Sequence, residues 1–229
     1  MGNTYSAQKD TTVVNSTNNC NTNLINKIDT VNPEEDTINV RNKFIASICE
    51  LGHNGREICD LLKYDECVIA GSFPLQVMTG NTFKGSDIDI FTNSYDHLQK
   101  IETYLHANGY NVRKAEYIVR EGINTMRLAK IKSVTTYDKC YGSHTPIQLI
   151  LLDSKYSGNS MNDYIKKEFD IDFCKIIFDG TNIINSKLAK KEGTVALSSL
   201  SERNDAQMNR VWKRIIKYAN RGNKISIVA

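Results

Sequence analysis

Two carboxylates, Asp87 and Asp89, stand one residue apart in the run Gly85-Ser86-Asp87-Ile88-Asp89-Ile90-Phe91, with the pair Gly71-Ser72 upstream. In a strand, side chains alternate faces, so Asp87 and Asp89 point one way while Ile88 and Ile90 point into a core. Carboxylates a pleat apart suit a hard divalent cation, Mg²⁺ or Mn²⁺. Mg²⁺ takes one or two protein carboxylates and fills its octahedron with water and substrate phosphates. A pair of such ions would steady both the attacking and the leaving oxygen of an in-line displacement. Gly71, closing an apolar run, lets the backbone approach a phosphate, and Ser72 offers a hydroxyl and an amide at a helix N-terminus. The fourteen residues between them and the Asp pair, Phe73 to Ser86, suffice for a short helix and a return loop that brings both halves to one pocket. Lys84 and Ser86, at the end of that loop, join Gly71 and Ser72 as candidate phosphate-binding residues.

Positioning such a site takes a sheet. Cys67-Val68-Ile69-Ala70 reads as a short buried strand, Phe73 to Met78 as a helix, and Asp87 to Phe91 as a half-buried strand. Helical spacing recurs from Ile38 through Leu51, from Glu57 to Lys63, and from Tyr95 to Ala107 with Leu98, Ile101 and Leu105 on one face. Val112 to Val119, Thr125 to Thr136 and Ile147 to Leu152 are rich in β-branched and apolar residues and are predicted strands. Asn162 to Glu168 is a predicted helix, and Phe169 to Phe178 and Thr181 to Asn185 are strands flanking the hairpin signal Asp179-Gly180. A last helix, Ser201 to Arg221, places Met208, Trp212, Ile215, Ile216 and Ala219 on its apolar side.

The chain of 229 residues, 40% hydrophobic and 24% charged, supports one principal domain. It has no apolar run long enough to span a membrane and no secretory pattern at its start, so a cytoplasmic protein is expected. Six cysteines without a C-x-x-C pair read as reduced thiols, and the four histidines match no metal or triad pattern. Residues 1–36, rich in Asn, Thr and Ser, read as a flexible tail. Its opening, Met1-Gly2-Asn3-Thr4-Tyr5-Ser6, fits the N-myristoylation pattern at Gly2 and with it weak peripheral membrane association. From Ser201 onward seven basic residues face Glu202 and Asp205, the one marked charge asymmetry of a chain with net charge +3. Arg203, Arg210, Lys213, Arg214, Lys217 and Arg221 are candidates to meet a triphosphate or an RNA backbone, against the plainer reading of a solvated helix face.

Val68-Ile69-Ala70-Gly71-Ser72, with Gly85-Ser86-Asp87-Ile88-Asp89-Ile90-Phe91, resembles the signature of the nucleotidyltransferase (DNA polymerase β-like) superfamily, with a slightly long spacer. Phe169-Asp170-Ile171-Asp172-Phe173-Cys174, Phe178-Asp179-Gly180 and Arg214 to Gly222 resemble a subgroup of uncharacterised nucleotidyltransferase-like proteins of large DNA viruses and fungi. The resemblance implies an α/β (α+β) fold: a mixed β-sheet flanked by helices over residues 37–200, followed by a basic C-terminal helix within 201–229. It also implies an NTP substrate, Asp87 and Asp89 as metal ligands and catalytic residues, and a hydroxyl acceptor on RNA, a protein or a small molecule. The superfamily places a third carboxylate on a neighbouring strand; here that position, within Pro146-Ile147-Gln148-Leu149-Ile150, is Gln148. An amide carries no negative charge and cannot act as a base. Asp170 and Asp172, on one face of the next predicted strand, are the expected replacements. Two rival readings follow: a nucleotide-binding or interaction protein of the same fold with weak catalysis, and a D-x-D glycosyltransferase gripping a nucleotide diphosphate.

Overall fold

A computed structural model describes residues 33–64, 67–117, 131–139, 144–153, 161–196 and 205–228. Gly2 and most of the Asn/Thr/Ser-rich segment lie outside them, as do Cys20, Cys140, Arg203 and the first part of the strand expected from Thr125.

Helix α1 (Pro33–Glu50) starts before Ile38, where helical spacing was first legible, and buries Phe44 and Ile48, one turn apart. Helix α2 (Gly55–Tyr64) adds Ile58, Cys59 and Leu62 to the same core. The fully buried strand β1 (Val68–Ala70) leads at Gly71 into α3 (Ser72–Thr79), which ends on Gly80 in the left-handed conformation. Strand β2 (Ile88–Thr92) is followed by α4 (Tyr95–Ala107), opened by Ser94, whose side chain accepts from the His97 amide.

Strands β3 (Tyr110–Tyr117) and β4 (Ile131–Lys139) form an antiparallel pair, and β4 pairs antiparallel in turn with β5 (Ile147–Leu152). β5 pairs with β2 in parallel, setting Gln148 opposite Asp89. His53 pins the loop before β5: its Nε2 bonds the Thr145 carbonyl at 2.8 Å and its Nδ1 meets the Tyr110 hydroxyl. Burial holds this imidazole down to about 4, so it is neutral, donating to Thr145 and accepting from Tyr110.

Helix α5 (Met161–Glu168) is followed by a segment that departs from the expected strand. The strand expected over Phe169 to Phe178 is a 3₁₀ turn, Asp172–Lys175, followed by a two-residue strand β6 (Ile177–Phe178). Burial from Asp170 to Phe178 is broken only at Asp172 and Lys175, three residues apart, which suits a 3₁₀ turn and defeats strict alternation. Asp170 and Asp172 therefore do not share a strand face. The Asp179-Gly180 hairpin forms, pairing β6 with β7 (Ile183–Ile184), and Asp179 Oδ1 accepts from the Thr181 and Asn182 amides as a turn residue.

The sheet is mixed, in the order β3-β4-β5-β2-β1-β6-β7. One apolar cluster joins Phe44, Ile69, Ile88, Ile90, Leu98 and Leu149, with Phe44 stacked on Phe178; another, with Phe91, Ile150, Tyr164 and Ile165, brings in α5. A third cluster joins Leu75, Phe83, Phe173 and Val195 to helix α6 (Asp205–Ala219). It also anchors a parallel pair, β8 (Glu192–Ala196) with β9 (Lys224–Val228), which local sequence did not disclose.

Helix α6 is rotated from the expected face. Val211 and Tyr218 are buried with Met208 and Ile215 against them, whereas Trp212 (44% exposed) and Ile216 (56%) face outward. Tyr218 wins the interior because its ring packs edge-on against Phe173 and Phe83. Cys59, Cys67 and Cys174 are buried and Cys49 is exposed, all as free thiols. None of the described helices is long and apolar enough to cross a membrane.

Candidate functional site

Gly71 takes φ 90°, ψ −135°, a conformation open to glycine alone, and a Cβ there would lie 2.9 Å from Asp89 Oδ2. The turn between β1 and α3 is thus folded against the Asp pair. Its amide is tied to the Cys174 carbonyl at 3.2 Å, which fixes the turn to the 3₁₀ segment.

Ser72 opens α3 and is buried; its Oγ hydrogen-bonds Ser86 Oγ at 2.7 Å. Gln76 Oε1 accepts from the Phe83 amide at 2.7 Å, which turns its amide nitrogen to donate to Ser86 Oγ at 3.0 Å. Ser86 therefore couples the two halves of the motif from beneath, and Gln76, which the sequence reading did not single out, orients it. Lys84 is exposed on the loop. Neither Lys84 nor Ser86 lines the cavity described next.

Asp87, just before β2, and Asp89 and Phe91 of β2 lie beside Gln148 and Ile150 of β5, and all five open on one cavity of about 280 Å³. Gly71 and Ser72 form one wall. Glu168, Phe169 and Asp170 form another, and α6 contributes Gln207, Arg210, Arg214 and Lys217, a single helical stripe. Of the six basic side chains weighed from the sequence, Arg210, Arg214 and Lys217 line the cavity, Lys213 and Arg221 do not, and Arg203 lies outside the described residues.

Burial, with the Asp87 carboxylate beside it, pushes the Asp89 carboxyl up to about 8, against the opposing pull of Lys217 and Arg214. Without a cation, Asp89 is driven toward its neutral form. The folded pKa lies above the ordinary carboxylate value of about 4, so Asp89 contributes stability at low pH that is lost as pH rises from about 4 toward 8. A divalent ion on the pair takes the proton's place and removes that cost. Thermal melts are therefore expected to show Mg²⁺ raising Tm more at pH 8 than at pH 6, with the pH difference absent in Asp89→Asn; an equal Mg²⁺ effect at both pH values in the wild type would contradict this.

The carboxylates expected to complete the pair are placed differently from each other. Asp170 does line the cavity, but its side chain is fully buried and ion-paired with Arg214 Nη1. Asp172 turns away: its Oδ1 accepts from the Thr194 amide at 2.7 Å and the Phe173 amide at 2.8 Å, and its Oδ2 from Thr194 Oγ1 at 3.0 Å. It ties the 3₁₀ turn to β8, and it is not a lining residue. Gln148 Nε2 donates to Asp87 Oδ2 at 2.6 Å. Among the described residues no three His, Cys, Asp or Glu side chains form a metal-holding group. Asp87 and Asp89 are donors that could hold a Mg²⁺, whose other ligands would then come from outside the chain.

Among solved structures, the chain is similar to a CCA-adding enzyme in complex with CTP, at 14% identity and a TM-score of 0.47, over 76% of this chain and 40% of that one. It is also similar to a tRNA-processing enzyme with CTP, at 13% identity and a TM-score of 0.44, over 70% of this chain and 40% of that one. The chain thus spans about two fifths of the length of these enzymes. A comparison with curated proteins returns no match. The sequence model of the Gabija anti-defense 2 family protein, Gad2, matches residues 38–191, from α1 through the Gly71-Ser72 corner, the Asp pair and β5 to the start of β8. The chain belongs to the Gabija anti-defense 2 (Gad2) family.

Proposed function

We propose that this chain is a divalent-metal-dependent nucleotidyltransferase that moves a nucleotidyl group from an NTP to a hydroxyl of a protein or RNA acceptor. The observation that carries the reading is the convergence, in one cavity, of Asp87 and Asp89 with the Gly71-Ser72 turn and the cationic stripe of α6. Acid on the sheet and base on the helix match a ligand that brings both a cation and a polyphosphate. A glycosyltransferase reading explains the acidic pair but gives no role to the Gly71-Ser72 turn.

Ser72 opens α3 and meets the terminal phosphates there, where the helix dipole favours an anion, and Gly71, its own amide held by the Cys174 carbonyl, lets the backbone come close. Arg210, Arg214 and Lys217 close over the triphosphate from the other side. Mg²⁺ on Asp87 and Asp89, when bound, neutralises phosphate charge and polarises the α-phosphoryl group. The acceptor oxygen bonds to the α-phosphorus, the bond from that phosphorus to the bridging oxygen breaks, and pyrophosphate departs with the electron pair. The hydroxyl proton passes to Glu168, a carboxylate that lines the cavity outside the Asp pair.

The family description names an anti-defense role, which points to a component of the opposed defence as the acceptor. Incubating the chain with α-labelled NTPs, Mg²⁺ and either the proteins or the RNAs of a cell carrying that defence is expected to label one macromolecule, with release of pyrophosphate. The second reading, nucleotide binding with little transfer, is favoured by one observation: Gln148 donates to Asp87 where another carboxylate would add charge. Tight NTP binding with no labelled acceptor and no pyrophosphate would select it.

A further inference from the structure

We propose that the cavity takes one divalent cation, not two, with Gln148 closing the second position and Arg214 and Lys217 supplying its charge. This rests on the nucleotide-site reading above and specifies how that site is built.

Gln148 faces Asp89 across the parallel β2–β5 register and reaches Asp87 Oδ2 at 2.6 Å. An ionised carboxylate only accepts, so the NH₂ end of Gln148 must face Asp87, and the amide cannot turn its carbonyl there without losing that bond. The Asp87 oxygen on the β5 side is therefore covered by an N–H. An ion placed there would meet amide hydrogens in place of a negative ligand.

Among the described residues no third His, Cys, Asp or Glu side chain joins Asp87 and Asp89 in a metal-holding group, and this includes Glu168, which also lines the cavity. Asp170 is committed to Arg214, and Asp172 to Thr194 and the amide of Phe173. The positive charge that a second ion would bring to a triphosphate is already present as side chains: Arg214 and Lys217 line the same cavity as Asp87 and Asp89. A second divalent ion would be driven toward these two cations, against their repulsion, for one uncharged ligand. A guanidinium is a reasonable substitute because it stays charged and pairs with phosphate through two donors.

The test uses the full chain with Mn²⁺ and a non-hydrolysable ATP analogue, read by counting bound Mn²⁺ and recording its frozen-solution EPR spectrum. The wild type is expected to hold one ion per chain, with the six-line spectrum of an isolated Mn²⁺, and Gln148→Glu to take a second ion with an exchange-coupled spectrum. A coupled pair in the wild type overturns the proposal while leaving the nucleotide-site reading intact. So does a Gln148→Glu protein that is folded by circular dichroism yet binds only one ion. Should Gln148→Glu fail to fold, the wild-type spectrum alone decides. Mn²⁺ binding in Asp87→Ala indistinguishable from the wild type overturns both readings at once.

Discussion

Replacing Asp87 or Asp89 with Ala is expected to lower nucleotidyl transfer by roughly a thousandfold or more, since a bound metal ion supplies several kcal/mol of charge stabilisation and about 1.4 kcal/mol is a factor of ten. Both side chains line the cavity, whereas the packing of β2 is carried largely by Ile88 and Ile90. Stability should therefore survive. Indeed, Asp89→Ala removes a carboxyl whose pKa burial raises to about 8, and is expected to stabilise the cation-free protein above neutral pH. Calorimetry with Mg²⁺ and a non-hydrolysable NTP, beside a melt of each variant, separates the two effects. An Asp89→Ala protein that melts normally and still binds Mg²⁺-NTP as the wild type does would remove that residue from the site.

The second large effect is expected at Gly71. Gly71→Ala places a side chain at φ 90°, ψ −135°, a region whose occupation costs a non-glycine residue about 1–3 kcal/mol, and sets its Cβ 2.9 Å from Asp89 Oδ2. The carboxylate must move, so Mg²⁺-NTP binding should fall at least tenfold along with stability. Gly80→Ala provides the contrast. It too has positive φ, 70°, but nothing lies within 4 Å of its Cβ, so it should lose about 1 kcal/mol by denaturant unfolding and bind nucleotide normally. Equal loss of binding in both variants would mean that Gly71 acts through general stability and not through the turn.

Much of this arrangement is legible in sequence because it is local. The alternation of Asp87, Ile88, Asp89 and Ile90 dictates which face is polar, and the spacer from Phe73 to Ser86 has only one compact course, a helix and a return. β5 and α4 follow from runs strong enough to set their own boundaries. The failures are non-local. Phe169 to Phe178 alternates well enough to pass for a strand, yet β1 has a free edge for only two of those residues, and the rest turn to bury Ile171, Phe173 and Cys174 in the third cluster.

In α6, both Val211-Tyr218 and Trp212-Ile216 are acceptable apolar faces about 100° apart. The choice between them is made by Phe173 and Phe83, which come from elsewhere in the chain. That rotation decides which basic residues meet the cavity, so Arg210, Arg214 and Lys217 were not separable from Lys213 and Arg221 by charge alone. The partner of Gln148 was equally hidden, since it depends on the β2–β5 register.

The central claim is that the β2 carboxylates, the Gly71-Ser72 turn and the α6 cations form one metal-nucleotide site. A crystal structure of the chain with Mg²⁺ and a non-hydrolysable NTP tests it most directly. The predicted result is the cation on Asp87 and Asp89, with the triphosphate between Ser72 and the Arg210-Arg214-Lys217 stripe. Nucleotide bound elsewhere on the protein, with Asp87 still held by Gln148 and no cation beside it, would contradict the account.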